Sequence, residues 1–137
     1  MPIKMFAAPL ALALGLAVAS VAVPATAAEV STHILDLSRG TGRGGVPVTL
    51  ARQAPDGGWT IVGRGTTDAE GRVRQLGEPK AIGAGIYRLQ FDMAGRSDTA
   101  APFFPEIVLT FRVTDAAAHY HVPVVVSPYG YSTYRGS

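Results

Sequence analysis

From Val30 to Arg135 the chain is a succession of short apolar–polar alternations, none longer than nine residues and each followed by a turn or loop signal. Alternation with period two sends successive side chains to opposite faces of a strand, so such a chain is built from strands with one face buried. The runs are Val30–Leu37, Val46–Gln53, Trp59–Thr67, Arg72–Leu76, Gly85–Met93, Glu106–Val113, His119–Ser127 and Tyr129–Arg135. Between them lie Ser38–Gly45 with four glycines, Pro55-Asp56-Gly57-Gly58, Asp68-Ala69-Glu70-Gly71, Glu78–Ala84 and Thr114–Ala118. Ala94–Pro105 is the longest irregular connection, and a short helical turn is expected in it before Pro102. Eight short strands with regular turn signals predict an all-β fold, an eight-stranded β-sandwich with one short helix.

The segment before these runs is of another kind. Lys4 precedes an uncharged, Ala-rich apolar stretch from Met5 to Val23, which closes on Pro24-Ala25-Thr26-Ala27-Ala28. A positive start, an apolar middle and an Ala-x-Ala exit predict a secretory signal peptide over residues 1–27, with a single domain over residues 28–137. The competing reading is an uncleaved membrane anchor, since the apolar run is nearly long enough to span. Without the leader the formal charge falls from +2 to +1, because Lys4 is its only charged residue. A near-neutral chain offers no electrostatic footing for nucleic acid or for an acidic membrane. There are no cysteines, so disulfides and thiolate metal sites are excluded and stability rests on packing and on association.

Chemistry-bearing residues are few. The only three histidines, His33, His119 and His121, all fall in predicted strands. Along the first run Ser31, His33 and Leu35 share one face, opposite Val30, Thr32 and Ile34. His119 and His121 share a face by the same parity, and His33 joins them if the first and seventh strands pair. Three co-facial histidines fit either a metal site or acid–base chemistry, and spacing alone leaves both open. No matched carboxylate or H-x-x-x-H pair supports the metal. Arg72, directly after the Asp68–Gly71 turn, is either a solvated turn residue or a fixed donor for a carbonyl oxygen. Arg135 stands between Tyr134 and Gly136, and Ser137 adds a hydroxyl and a carboxylate. No G-x-S-x-G elbow accompanies Ser127 or Ser132, which removes the usual frame for Ser-His-Asp catalysis.

Three blocks then carry a resemblance. The terminal Tyr134-Arg135-Gly136-Ser137, the preceding His119-Tyr120-His121-Val122-Pro123 with Ser127 to Thr133, and Ser31-Thr32-His33-Ile34-Leu35-Asp36 with Gly45-Val46-Pro47-Val48 resemble the transthyretin-related protein family, specifically its 5-hydroxyisourate hydrolases. Phe103-Phe104-Pro105-Glu106-Ile107 is similar to the start of that family's sixth strand. The resemblance runs from about Ser31 to Ser137, and the Tyr-Arg-Gly-Ser tail is its most specific part. One departure is Glu70-Gly71-Arg72, where the family commonly has Asp-Gly-Arg.

The resemblance implies a transthyretin-like sandwich of two four-stranded sheets, assembled as a homotetramer with sites in a channel between dimers. It implies hydrolysis of 5-hydroxyisourate in urate degradation, with no metal or organic cofactor. It carries over His33, Arg72, His121 and Ser137 as catalytic positions, and His33, Arg72, His119, Tyr134 and Arg135 as substrate-binding positions. Either His121 or His33 serves as the base, with Arg72 on the substrate oxyanion. The leader implies a periplasmic or secreted protein. Two alternatives stand beside this one: a transthyretin-like small-ligand carrier, and an exported histidine metal-binding sandwich.

Overall fold

One sheet is organised around strand β1, Glu29–Asp36. The computed structural model describes Pro2, residues 28–95 and residues 100–137. The expected leader over residues 1–27 and part of the expected helical turn before Pro102 therefore lie outside the described residues. Residues 29–36 alternate as predicted, with Val30, Thr32 and Ile34 buried against the second sheet.

Strands β8 (His119–His121) and β9 (Val124–Ser127) run parallel to β1 along one edge. Glu29 pairs with His119, Ser31 with His121, Ile34 with Val124 and Asp36 with Val126. The register is continuous, so β8 and β9 are one line of chain rather than two. The single strand expected over His119–Ser127 is interrupted at Val122-Pro123 because proline has no N–H to give the ladder. The interruption is bridged locally: Val122 N–H donates to the Ser31 carbonyl at 3.0 Å, and the buried Thr32 hydroxyl donates to the Val122 carbonyl at 2.7 Å.

Short strands β2 (Thr41–Gly42) and β5 (Arg72–Val73) pair antiparallel with the other edge of β1. Strand β10 (Gly130–Thr133) completes this sheet by pairing with β9. It is shorter than the predicted Tyr129–Arg135. The second sheet has the order β4-β3-β6-β7, from β3 (Pro47–Gln53), β4 (Trp59–Thr66), β6 (Gly85–Asp92) and β7 (Glu106–Val113). It is wholly antiparallel.

The sandwich is thus the expected one, with finer segmentation. Ten strands replace eight because Pro123 splits one run and Thr41-Gly42 adds a short pairing inside the expected glycine loop. The first sheet is six-stranded by segment but four strands wide: β10, then β8 with β9, then β1, then β2 with β5. Among the described residues the one helical turn is a 3₁₀ turn at Pro79–Ala81, in what the sequence reads as loop. The core between the sheets holds Val30, Ile34, Leu50, Tyr87, Leu89, Phe91 and Val124, each fully buried. Each such side chain contributes ~1.5–3 kcal/mol of transfer free energy. The outer face of β1 and β8 is left for other work.

Candidate active site

The site follows from strand parity. If Val30, Thr32 and Ile34 point into the core, Ser31 and His33 must point out, and the parallel pairing with β8 brings His119 and His121 to the same outer face. Arg72 joins them as the cross-strand partner of His33. The sequence condition for gathering the three histidines, pairing of the first strand with the histidine strand, is met.

Ser31 sits between two of them. Its Oγ lies 2.7 Å from His119 Nε2 and 2.8 Å from His121 Nδ1, with the imidazole centroids 6.4 Å apart and the rings nearly perpendicular. His33 is held separately. Its Nε2 donates to the Glu70 carbonyl at 2.8 Å, and because a carbonyl can only accept, Nε2 carries the proton. In the neutral ring this leaves Nδ1 bare.

That carbonyl belongs to the turn that also places Arg72. The Asp68 carboxylate accepts from the N–H of Glu70 at 3.0 Å and of Arg72 at 2.9 Å, while Asp68 and Arg72 exchange a further backbone bond at 2.9 Å. The Arg72 amide bond is the main reason the Asp68 carboxyl titrates below its ordinary value. Gly71 closes the turn at φ +82°, a left-handed conformation, and a side-chain carbon there would meet the Ile34 carbonyl oxygen at 2.5 Å. The Arg72 guanidinium makes no ion pair among the described residues, so its charge remains available to a ligand.

A cavity of about 250 Å³ opens between these groups, lined by Ser31, Arg72, Arg74, His119, His121 and Ser137 among others. It is smaller than sites for drug-sized molecules and matches a small ring. The tail reaches it because Gly136 donates its N–H to the His121 carbonyl at 2.8 Å and lies directly against the imidazole. Burial, then the charge of Arg72, then His119 and His33, hold the His121 pKa below the ordinary histidine value. At a given pH His121 therefore carries less charge than a free histidine, which keeps more of it in the form that accepts a proton.

His33, Arg72, His119, His121 and Ser137 are thus brought together, with His33 beside the cavity. Tyr134 and Arg135 are not. Both line a second hollow of about 230 Å³ with Leu109, Phe111 and Tyr120, and the Arg135 guanidinium lies over the Tyr120 ring at 4.9 Å. Within one chain these two expected substrate-binding residues stay away from the histidines. Ser31 was not among the expected site residues, although its shared parity with His33 was the signal for it. As for a metal, His119 Nε2 and His121 Nδ1 both face the Ser31 hydroxyl, and no cluster of three or more potential ligands occurs among the described residues.

A β-sandwich whose outer sheet face carries histidines and an arginine around a small cavity is the framework of a transthyretin-type fold adapted for chemistry. A model of the HIUase/Transthyretin family matches residues 30–136, and the chain belongs to that family. It is 44% identical over 132 residues to the 5-hydroxyisourate hydrolase of Salmonella typhi, covering 90% of this chain and 96% of that one. It is 43% identical to the 5-hydroxyisourate hydrolase of Caulobacter vibrioides, over 78% of this chain and 96% of that one. Among solved structures it is similar to Klebsiella pneumoniae 5-hydroxyisourate hydrolase (TM-score 0.66, 32% identity, 80% of this chain and 99% of that one). It is also similar to transthyretin from Sparus aurata (TM-score 0.72, 30% identity, 78% and 95%).

Proposed function

We propose that this protein is a hydrolase that opens the ring of 5-hydroxyisourate with water, in the degradation of urate. The observation that carries the reading is the cavity in which His121, its charged form disfavoured by burial and by Arg72, stands beside Arg72, with Ser137 on the same wall. Relatives identical at up to 45% over most of the chain bear the name of that activity, which supports the substrate.

The residues divide the work by their chemistry. His121 takes a proton from water, and the hydroxide formed adds to the ring carbonyl carbon. The carbonyl oxygen becomes negatively charged in the tetrahedral intermediate, and Arg72, permanently cationic and in no ion pair among the described residues, stabilises it. The C–N bond of the ring then breaks, the nitrogen takes back the proton held by His121, and the new carboxyl group ionises. The product is 2-oxo-4-hydroxy-4-carboxy-5-ureidoimidazoline. His33, fixed through Nε2 to the Glu70 carbonyl beside the cavity, keeps Nδ1 free as an acceptor that can orient the substrate. No step requires a metal or an organic cofactor.

The carrier reading fits less well, because two histidines and two arginines line this cavity where a hormone-type ligand needs a mainly apolar wall. A homotetramer belongs to the proposal. It is supported by a site that lies open on a sheet face, and by exposed Tyr129, Tyr131 and Tyr134 on and beside edge strand β10. Export to the periplasm or the medium is supported by the leader pattern alone.

The test is to generate 5-hydroxyisourate in ¹⁸O-labelled water and follow the ring-opened product by mass spectrometry. The protein should accelerate appearance of product carrying one ¹⁸O in its new carboxyl group. Product forming no faster than in buffer would end the proposal.

A further inference from the structure

Ser31 is buried, yet neither hydrogen bond of its hydroxyl goes to the backbone or to water-facing groups of its own strand: both go to histidines. Strand pairing here does not need that hydroxyl, because β1 and β8 are joined by their backbones and Val122 N–H holds the Ser31 carbonyl. We infer that Ser31 is a positioning residue that couples His119 to His121, fixing complementary tautomers on the two rings and giving the proton collected by His121 a path to solvent at His119. This rests on the hydrolase reading above and adds to it a residue and a route.

A hydroxyl has one proton and can accept two bonds, whereas each neutral imidazole has one protonated and one bare nitrogen. With both rings neutral and both bonds to Ser31 made, two arrangements satisfy all three groups. In one, His121 Nδ1–H donates to Ser31 and Ser31 donates to His119 Nε2, which leaves His121 Nε2 bare as the base. In the other, His119 Nε2–H donates to Ser31 and Ser31 donates to His121 Nδ1, so His121 Nε2 bears the proton and is the acid. A general base and a general acid are thus two states of one hydrogen-bonded unit, exchanged without turning a ring.

The proton balance closes. When His121 Nε2 takes a proton, its Nδ1 proton passes to Ser31 as the Ser31 proton passes to His119 Nε2. His119, exposed at the rim, then releases its Nδ1 proton to water. One proton enters at His121 and one leaves at His119. When His121 Nε2 gives its proton to the leaving ring nitrogen, the relay runs back through Ser31 and His119 Nδ1 regains a proton from water. The charged and titratable groups facing this unit include Glu29, the strand partner of His119, with His33 on β1, Arg72 and Arg74 from β5 and its end, and Ser137 from the tail on the same cavity. Burial, then Arg72, His119 and His33, disfavour charge on His121.

The experiment compares wild type, Ser31→Ala, Ser31→Thr and His119→Ala by long-range ¹H–¹⁵N NMR of the histidine ring nitrogens, and by the pH profile of kcat. Ser31→Ala is expected to change the tautomer of His121 and lower kcat on the order of tenfold to a hundredfold, within the roughly 10²–10⁴-fold that acid–base catalysis supplies. KM should stay near wild type, and Ser31→Thr, which keeps the hydroxyl, should restore both readouts. His119→Ala, at an exposed position, removes the partner that selects which way the Ser31 proton points and should also alter the His121 nitrogens. Unchanged His121 nitrogens in Ser31→Ala and His119→Ala, with the wild-type pH profile, would overturn the inference. If wild type proves to have no hydrolase activity, the hydrolase reading fails while the ring-nitrogen spectra still decide the coupling.

Discussion

Gly136 and His121 are in backbone and side-chain contact at once: the Gly136 N–H donates to the His121 carbonyl at 2.8 Å, and a carbon added at Gly136 would lie 2.5 Å from His121 Cδ2. The tail therefore forms one wall of the histidine site, and only a residue without a side chain lets it lie there. Gly136→Ala should push the tail off the imidazole. Overpacking of about 1–3 kcal/mol is relieved by lifting an exposed segment, so stability should barely change while kcat/KM falls. Thermal unfolding and steady-state kinetics on the same sample check this. A variant with wild-type kcat/KM would mean that the tail contributes nothing to the site.

The depressed pKa of His121 has a definite sign in activity. Burial first, then Arg72, disfavour its charged form, so the base remains ready below the ordinary histidine value of about 6.5. The acidic limb of kcat/KM should fall below that value, and Arg72→Gln, which removes the cation, should move the limb upward. The same depression makes a contribution to stability that is present above the unfolded value and lost as pH falls through the folded one. An acidic limb that stays in place in Arg72→Gln would contradict the assignment.

Gly71 is the hinge of the turn that places both Arg72 and the carbonyl holding His33. Its φ of +82° and the Ile34 carbonyl pressed against it exclude a side chain. Gly71→Ala should cost about 1–3 kcal/mol from the left-handed backbone alone. Urea denaturation would read that loss as a lower midpoint, and an unchanged midpoint would show that the turn can relax without cost.

Arg72 is expected to act through its charge and its planar fork. Arg72→Ala should approach the roughly 10²–10³-fold loss in kcat that removal of one oxyanion donor costs. Arg72→Lys keeps the charge but not the paired donors and should recover only part of it. Full recovery by lysine would reduce the role of Arg72 to general electrostatics.

How much of this was legible in the sequence depends on range. Alternation in Val30–Leu37 is a local property, and it sorted Ser31 and His33 to the outer face correctly. The turn at Asp68–Gly71 was legible for the same reason, since its glycine and aspartate declare a backbone need. Pairing of Ser31 with His121 is a contact between distant segments, and parity could state only what would follow if the strands met. Ser31 went unmarked because a serine in a strand has no distinctive chemistry until two imidazoles are placed against it. Pro123 was a readable break that the apolar run around it concealed. The resemblance carries Tyr134, Arg135 and Ser137 over together as one tail motif, but within the chain the backbone bond from Gly136 to His121 leaves Ser137 on the cavity while Arg135 stacks on Tyr120. Adjacency in sequence does not determine which side of a strand end a residue serves.

The most direct measurement is the absorbance decay of freshly made 5-hydroxyisourate with wild type, with His121→Ala and with a variant lacking Tyr134 to Ser137. Wild type should speed the decay well beyond buffer, and both variants should fall toward the buffer rate while remaining folded. Equal acceleration by all three would leave a hydrolase but contradict the site. A wild type no faster than buffer would contradict the hydrolase itself.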